Sequence, residues 1–154
     1  MFFDQYSDNN YGYGRGGKHG GNGSRGGHSS GEGYRPLVQE EGSHLLFIGS
    51  YSCVRHRGTE RLQLQKEGKL SFLCLQEIDW ITGDYLPQIE DAAREVLDLY
   101  PVKKLILFGG CQLELLSVDM KSVCKDLTTQ LGIPVVFHKG CHLVGYGQEG
   151  ADAE

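Results

Sequence analysis

"VKKLILFGGCQLELL" (residues 102–116) places two lysines before four consecutive apolar residues, then a Gly-Gly pair, then Cys111. A short apolar run closed by glycine, without helical period, reads as a strand buried on both faces. "HLLFIGSYSC" (44–53) repeats the order, with Gly49 closing the run and Cys53 four residues further on. "IPVVFHKGC" (133–141) repeats it again and ends in Cys141. "SFLCLQEIDW" (71–80), closed by the turn residues "TGDY", reads as another strand.

Helical pattern fills the gaps between these runs. Ile89, Ala93, Val96, Leu97 and Tyr100 share one face of a helix from Pro87 to Tyr100, with Pro87 in its first turn and Pro101 as its stop. Met120, Val123, Cys124, Leu127 and Leu131 mark another from about Ser117, closed by Gly132. "TERLQLQKEGKL" (59–70) reads as a third, although Leu62 and Leu64 fit no clean stripe. Strands alternating with helices imply the α/β class, here a single Rossmann-like domain with a parallel sheet flanked by helices. Ligands of such sheets bind beyond the carboxyl ends of the strands. Cys53, Cys111 and Cys141 each follow a strand, so all three converge on that edge.

The 154 residues are not uniform. Residues 1–36 contain no Leu, Ile or Val, and 11 of the 22 residues from Gly12 to Gly33 are glycine. A chain of that composition buries too little apolar surface to offset its ordering entropy. The expected organisation is a disordered Gly/Tyr/Arg-rich tail over 1–36, an α/β domain over 37–148 and a disordered C-terminus over 149–154. No signal-peptide pattern opens the chain and no apolar run reaches membrane-spanning length, so a cytoplasmic protein without a membrane partner is expected. In that reducing compartment five cysteines point to metal ligation, catalysis or packing rather than disulfides.

Those cysteines divide. Cys74 lies inside a strand pattern and Cys124 on the apolar face of a helix, where a thiol packs as a small hydrophobe. Cys53, Cys111 and Cys141 sit in glycine-containing loops, where the backbone can approach a bulky group closely. Each is either an inert loop cysteine or a ligand. No C-x-x-C pair occurs, so zinc-ribbon and thioredoxin-type sites lack their signature. Two thiolates from one chain do not complete a four-thiolate iron–sulfur site, but a twofold dimer presenting Cys53 and Cys111 twice does. His44, His56, His138 and His142 flank these positions, as ligands, as hydrogen-bond donors to sulfur, or as solvated side chains.

Several segments together resemble nitrogenase component 1. "GSYSCVRHRGTER" (49–61) is similar to the Gly-Ser-x-Gly-Cys-Val segment of its β-type subunit, whose cysteine ligates the P-cluster. "LCLQEIDWITGDYLPQIEDAAREV" (73–96) resembles the stretch leading into that family's next helix. "KKLILFGGCQLELLSVDMKSVCKDL" (103–127) is similar to the stretch holding the next cluster cysteine. The 58-residue separation of Cys53 and Cys111 fits those two ligands. "GIPVVFHKGCHLVGYG" (132–147) resembles the strand that follows. Departures accompany the matches. No cysteine precedes Cys53, Ile48 stands where the family has histidine, and Ser52 replaces its second glycine. Ser117-Val118-Asp119 stands for Gly-Asp-Asp, and only one of the family's several Rossmann-like domains is matched.

The resemblance implies an iron–sulfur redox protein acting in electron transfer or as a reductase subunit. Cys53 and Cys111 would be cluster ligands with Cys141 as a third candidate, and Gly49, Gly109 and Gly110 would let the backbone pass close to the cluster. Arg55 and Arg57 would offset its negative charge, or be ordinary exposed arginines. Without the upstream cysteine a [4Fe–4S] cluster is a simpler site than a larger P-cluster-like one. The implied partners are a second copy or a paralogous component 1-like subunit, together with an ATP-dependent iron protein of the nitrogenase-reductase type. No GxxxxGK[ST] loop occurs, so nucleotide hydrolysis would belong to that partner.

Two other functions compete. One is a metal-free scaffold or partner-binding protein that keeps the fold. The other is an RNA- or nucleotide-binding module using "GRGG" (14–17), "SRGG" (24–27) and the tail tyrosines. A net charge of −5, and four basic against three acidic residues in 1–36, argue against nucleic acid.

Overall fold

The computed structural model describes residues 34–51, 60–140 and 147–149. The expected tail up to residue 33, the loop carrying Cys53, Arg55, His56 and Arg57, and the stretch with Cys141 and His142 lie outside the described residues.

A short 3-10 turn, Arg35–Val38, leads into β1 (Ser43–Gly49). Then come α1 (Glu60–Lys66), β2 (Leu70–Cys74), α2 (Glu77–Thr82), α3 (Tyr85–Leu99) and β3 (Lys104–Gly109). The chain continues through α4 (Cys111–Leu115), α5 (Met120–Leu131), β4 (Val135–Lys139) and β5 (Gly147–Glu149). The sheet order is β2-β1-β3-β4-β5, with the first four strands parallel and β5 antiparallel to β4. This is the expected α/β architecture of one Rossmann-like sheet.

The uninterrupted apolar runs have a direct cause. Every position of β1 is buried because the strand is central and covered on both faces. On one face Leu46, Ile48, Leu105, Leu107 and Phe137 meet α3 and α5 through Ile89, Ala93, Val96, Met120, Cys124 and Leu127. On the other, Leu45, Phe47, Leu70, Phe72, Ile106 and Phe108 are covered by Leu64 of α1 and by Tyr34 and Val38. Tyr34 stands edge-on to Phe47 and Phe108, at 6.3 and 5.3 Å between ring centroids. The Glu60 carboxylate accepts from the backbone N–H groups of Tyr34 and Arg35, both at 3.2 Å, and so ties this turn to α1.

Three boundaries differ from the sequence reading. The run 71–80 is not one strand: β2 stops at Cys74, and Gln76 opens α2 with a capping box. Gln76 N–H donates to the Asp79 carboxylate at 2.7 Å, and Gly83 closes the helix in the left-handed conformation at φ +82°. Ile78 and Ile81 look like strand residues by type, but the cap and the glycine decide. A short helix, α4, starts directly at Cys111, and β5 follows β4 as a fifth strand. Among the described residues no helix is long and apolar enough to cross a membrane.

Candidate functional site at the carboxyl edge

The chain leaves β1 for β2 on one side and returns to β3 on the other, so the strand order reverses between β1 and β3. The crevice outside the carboxyl ends of those two strands is where open parallel sheets bind ligands. Gly49 ends β1, and Gly109 ends β3. Ladder-like bonds continue past the strand ends: Gly110 N–H to Ile48 O at 3.0 Å, Leu75 N–H to Gly49 O at 2.9 Å, and Gly140 N–H to Gly109 O at 2.9 Å. The loops therefore depart from a fixed ledge.

Cys111 is the first residue of α4, directly beyond this ledge, and is half-buried. Next to it, Gln112 Nε2 donates to Ser50 Oγ at 3.0 Å, joining α4 to the residue that follows β1. Cys53 follows Ser50 by three positions in the sequence. Lys139, at the end of β4, pairs with Glu114 of α4 at 3.5 Å and closes the opposite side. Sequence reasoning missed both ties, because neither residue pair has a motif; the hydrogen-bonding types beside each glycine were the one available signal.

Gly109 and Gly110 are buried at the end of β3. A Cβ on Gly109 would lie 2.6 Å from the Phe137 ring and 2.8 Å from Leu113 Cδ1. Side-chain packing alone thus requires glycine here. Gly140 is tighter: a Cβ would stand 2.1 Å from Phe108 Cε1 and 2.8 Å from the Gly109 carbonyl oxygen.

The two remaining described cysteines part company. Cys124 is buried in α5, and burial pushes its thiol up to about 12, so it stays protonated core. Cys74 is half-buried at the carboxyl end of β2, level with Gly49 of β1. Burial raises its thiol, against a smaller opposing effect of the Arg61 charge. It therefore belongs to the same edge as Cys111, a placement hidden while β2 was read as running on to Trp80.

Both described histidines lie within strands. His44 lies at the amino end of β1 and is 1% exposed. Its Nδ1 lies 2.8 Å from the Gly68 carbonyl, which can only accept, so Nδ1 carries the proton; Nε2 lies 2.8 Å from Ser71 Oγ. His138 is half-buried in β4, stacked on Phe108 at 5.4 Å rather than solvated in a loop. Burial lowers the pKa of both imidazoles.

As a cluster site this edge fits in kind. Cys111 is a thiol at the switch point on a fixed ledge, and thiolates are the standard cluster ligands. Among the described residues no group of three or more His, Cys, Asp or Glu side chains gathers there. The other expected ligands, Cys53 and Cys141, lie outside the described residues.

Comparison with known proteins agrees at a coarse level. The chain is 24% identical over 95 residues to the light-independent protochlorophyllide reductase subunit N of Heliobacterium mobile, covering 61% of this chain and 22% of that protein. It is 23% identical over 95 residues to the same subunit of Heliobacterium modesticaldum, covering 61% and 21%. No family model matches the chain. The chain is thus distantly similar to one subunit of the light-independent protochlorophyllide reductase. It spans about a fifth of the length of these curated relatives.

Proposed function

We propose that the protein is an iron–sulfur-binding subunit of a nitrogenase-like reductase, working in the cytoplasm in electron transfer. Cys53 and Cys111 are its cluster ligands, with Cys141 as the third candidate. The observation that carries this reading is the seat of Cys111: first residue of the short helix α4, two positions past the end of β3, at the strand-order reversal, with its neighbour Gln112 tied to Ser50, three positions before Cys53 in the sequence. The distant similarity to a reductase subunit supports the same class.

A [4Fe–4S] cluster takes four thiolates. Cys53 and Cys111, doubled across an interface with a second copy or a paralogous subunit, supply that number. When bound, the cluster supplies one-electron chemistry. This chain's part is to hold it on the ledge formed by Gly49, Gly109 and Gly110, with Arg55 as a charge-balancing neighbour. Electrons would come from an ATP-dependent iron protein of the nitrogenase-reductase type.

Strictly anaerobic purification tests this reading. Expected are a brown protein, about four irons with matching acid-labile sulfide for two thiol-donating chains, and loss of both in Cys53→Ala or Cys111→Ala. Cys124→Ala keeps the iron. Colourless, iron-free protein from such a preparation overturns the proposal.

One observation favours a second reading, a scaffold that keeps the fold without the metal. Gly109 is fully accounted for by Phe137 and Leu113, so its presence does not by itself require a cluster. In that case Cys53→Ala and Cys111→Ala leave partner binding intact.

A further inference from the structure

Helix α2 presents an apolar pair to solvent on a rigid mount. Ile78 is 56% exposed and Ile81 80% exposed; one turn apart, they share a face. Leu86, at the start of α3, is also exposed. The presentation is ordered. The capping box fixes the start of α2, Thr82 Oγ1 donates to Ile78 O at 2.9 Å, and Gly83 ends it. On its other side Trp80 turns inward against Tyr85, 5.2 Å between ring centroids, and joins the core. A capped helix that half-buries its tryptophan and exposes both isoleucines is a feature of docking surfaces, where apolar contact is gained only with a partner.

Charge states what that partner must be. Residues 77–99 carry seven acids, Glu77, Asp79, Asp84, Glu90, Asp91, Glu95 and Asp98, against the single Arg94. The whole chain has a formal charge of −5, so this segment holds more negative charge than the protein as a whole. Asp79 serves the cap, and Glu90 and Asp91 lie beside Arg94 at 3.9 and 3.5 Å. Glu77 and Asp84 are exposed on either side of the isoleucines. A second copy of the chain would bring acids against acids. A cationic partner meets the complementary field and is steered by it.

We propose that the Ile78–Ile81 face of α2, with its acidic rim, docks a cationic amphipathic helix of a partner protein. Its apolar stripe covers the two isoleucines while its lysines or arginines face Glu77 and Asp84. The inference is independent of the cluster, since none of these residues is a proposed ligand.

Trp80, the only tryptophan in the chain, lies in the same helix and reports on it. The probe is a Leu/Lys amphipathic helical peptide of about 18 residues, five turns long, titrated into the full chain while Trp80 emission is followed. Its Leu/Glu counterpart serves as control. Expected are saturable binding of the Leu/Lys peptide, weakening as salt rises to about 0.3 M, and none of the Leu/Glu peptide. Ile78→Ser with Ile81→Ser, which changes no charge, should weaken binding at least about tenfold. Glu77→Lys with Asp84→Lys should weaken it independently. Far-ultraviolet circular dichroism of both variants checks that the fold is retained. Equal affinity for the serine variant overturns the proposal, because acids alone then attract the peptide. So does an absence of binding. Self-association of the unmodified chain that disappears in the serine variant also overturns it, assigning the face to a second copy instead.

Discussion

The two edges of one sheet use their polar groups in opposite ways. At the amino edge, His44 is enclosed, its two nitrogens matched to Gly68 and Ser71 and its ring stacked on Tyr100 at 4.9 Å. At the carboxyl edge, Cys111 stays half-buried, the backbone is drawn tight by glycines, and exposed apolar residues gather in the elements that follow the strands: Tyr51, Ile78, Ile81, Leu115 and Leu116. The titratable side chain at one edge is matched within the fold; the thiol at the other is left half-buried. Stability and function should therefore separate along the strand direction, and substitutions at the two edges should fail in different assays.

The largest expected effect is on composition rather than stability. Under the proposed function Cys111→Ala removes the iron entirely, while the unfolding free energy of the iron-free protein in urea changes by less than about 1 kcal/mol, as for an ordinary partly exposed site. Iron retained in Cys111→Ala, or a large loss of stability in its iron-free form, would break the separation. Next comes the glycine ledge. Gly140→Ala forces a methyl group against the Phe108 ring and the Gly109 carbonyl, and should cost about 1–3 kcal/mol or more in urea unfolding. Gly109→Ala meets only side-chain atoms, so it should cost less, and Phe137→Leu should recover part of the loss. Equal costs, or no recovery with Phe137→Leu, would show that the ledge is not held by this packing.

Much of this architecture can be read from the sequence because it rests on local pattern. Leu45–Ile48 and Leu105–Phe108 have no alternation, and only a strand covered on both faces needs none. Gly132, in the left-handed conformation at φ +70°, ends α5 where the composition said it would. Cys74 and Cys124 read alike as core thiols, and both pack against the core, but Cys74 does so half-buried at the end of β2, which stops there because of a cap between Gln76 and Asp79 that residue types in "SFLCLQEIDW" do not announce. The tie between Gln112 and Ser50 spans 62 positions, and no local signal carries such a pairing.

The two histidines sharpen the comparison further, since the same substitution should act with opposite sign. His44→Phe leaves the Gly68 carbonyl and the Ser71 hydroxyl without their buried partner and should cost about 1–3 kcal/mol. His138 Nδ1 is buried with no hydrogen-bond partner among the described residues, and its ring already stacks on Phe108. His138→Phe removes that unmatched nitrogen and keeps the stack, so it should be neutral or stabilising by up to about 1 kcal/mol. Urea midpoints at neutral pH decide the matter. A loss at both positions would mean that the His138 nitrogen has a partner after all.

The smallest expected effect is the dependence on pH, and its sign follows from the same burial. Burial lowers the pKa of His44, against a weaker opposing pull from the Gly68 carbonyl, and burial likewise lowers that of His138. The unfolded chain takes up these protons near the ordinary value of 6.5, whereas the folded chain resists until lower pH. Between those points the unfolded state binds more protons, so stability rises with pH there. The contribution is fully present above about 6.5 and is lost as pH falls through the folded-state values. The depressed carboxyls act in the same direction but later. Glu67 is held down by hydrogen bonds from Arg35, and Asp119 by Ser122, so their contributions fade only in the acid range below 4.5 and 3.8. Urea midpoints should therefore fall in two stages on acidification, the first belonging to histidine. His44→Phe, though less stable throughout, should flatten that first stage, as should His138→Phe. A chain that gains stability between pH 7 and 5.5, or a first stage untouched by both substitutions, would remove the buried imidazoles as its cause.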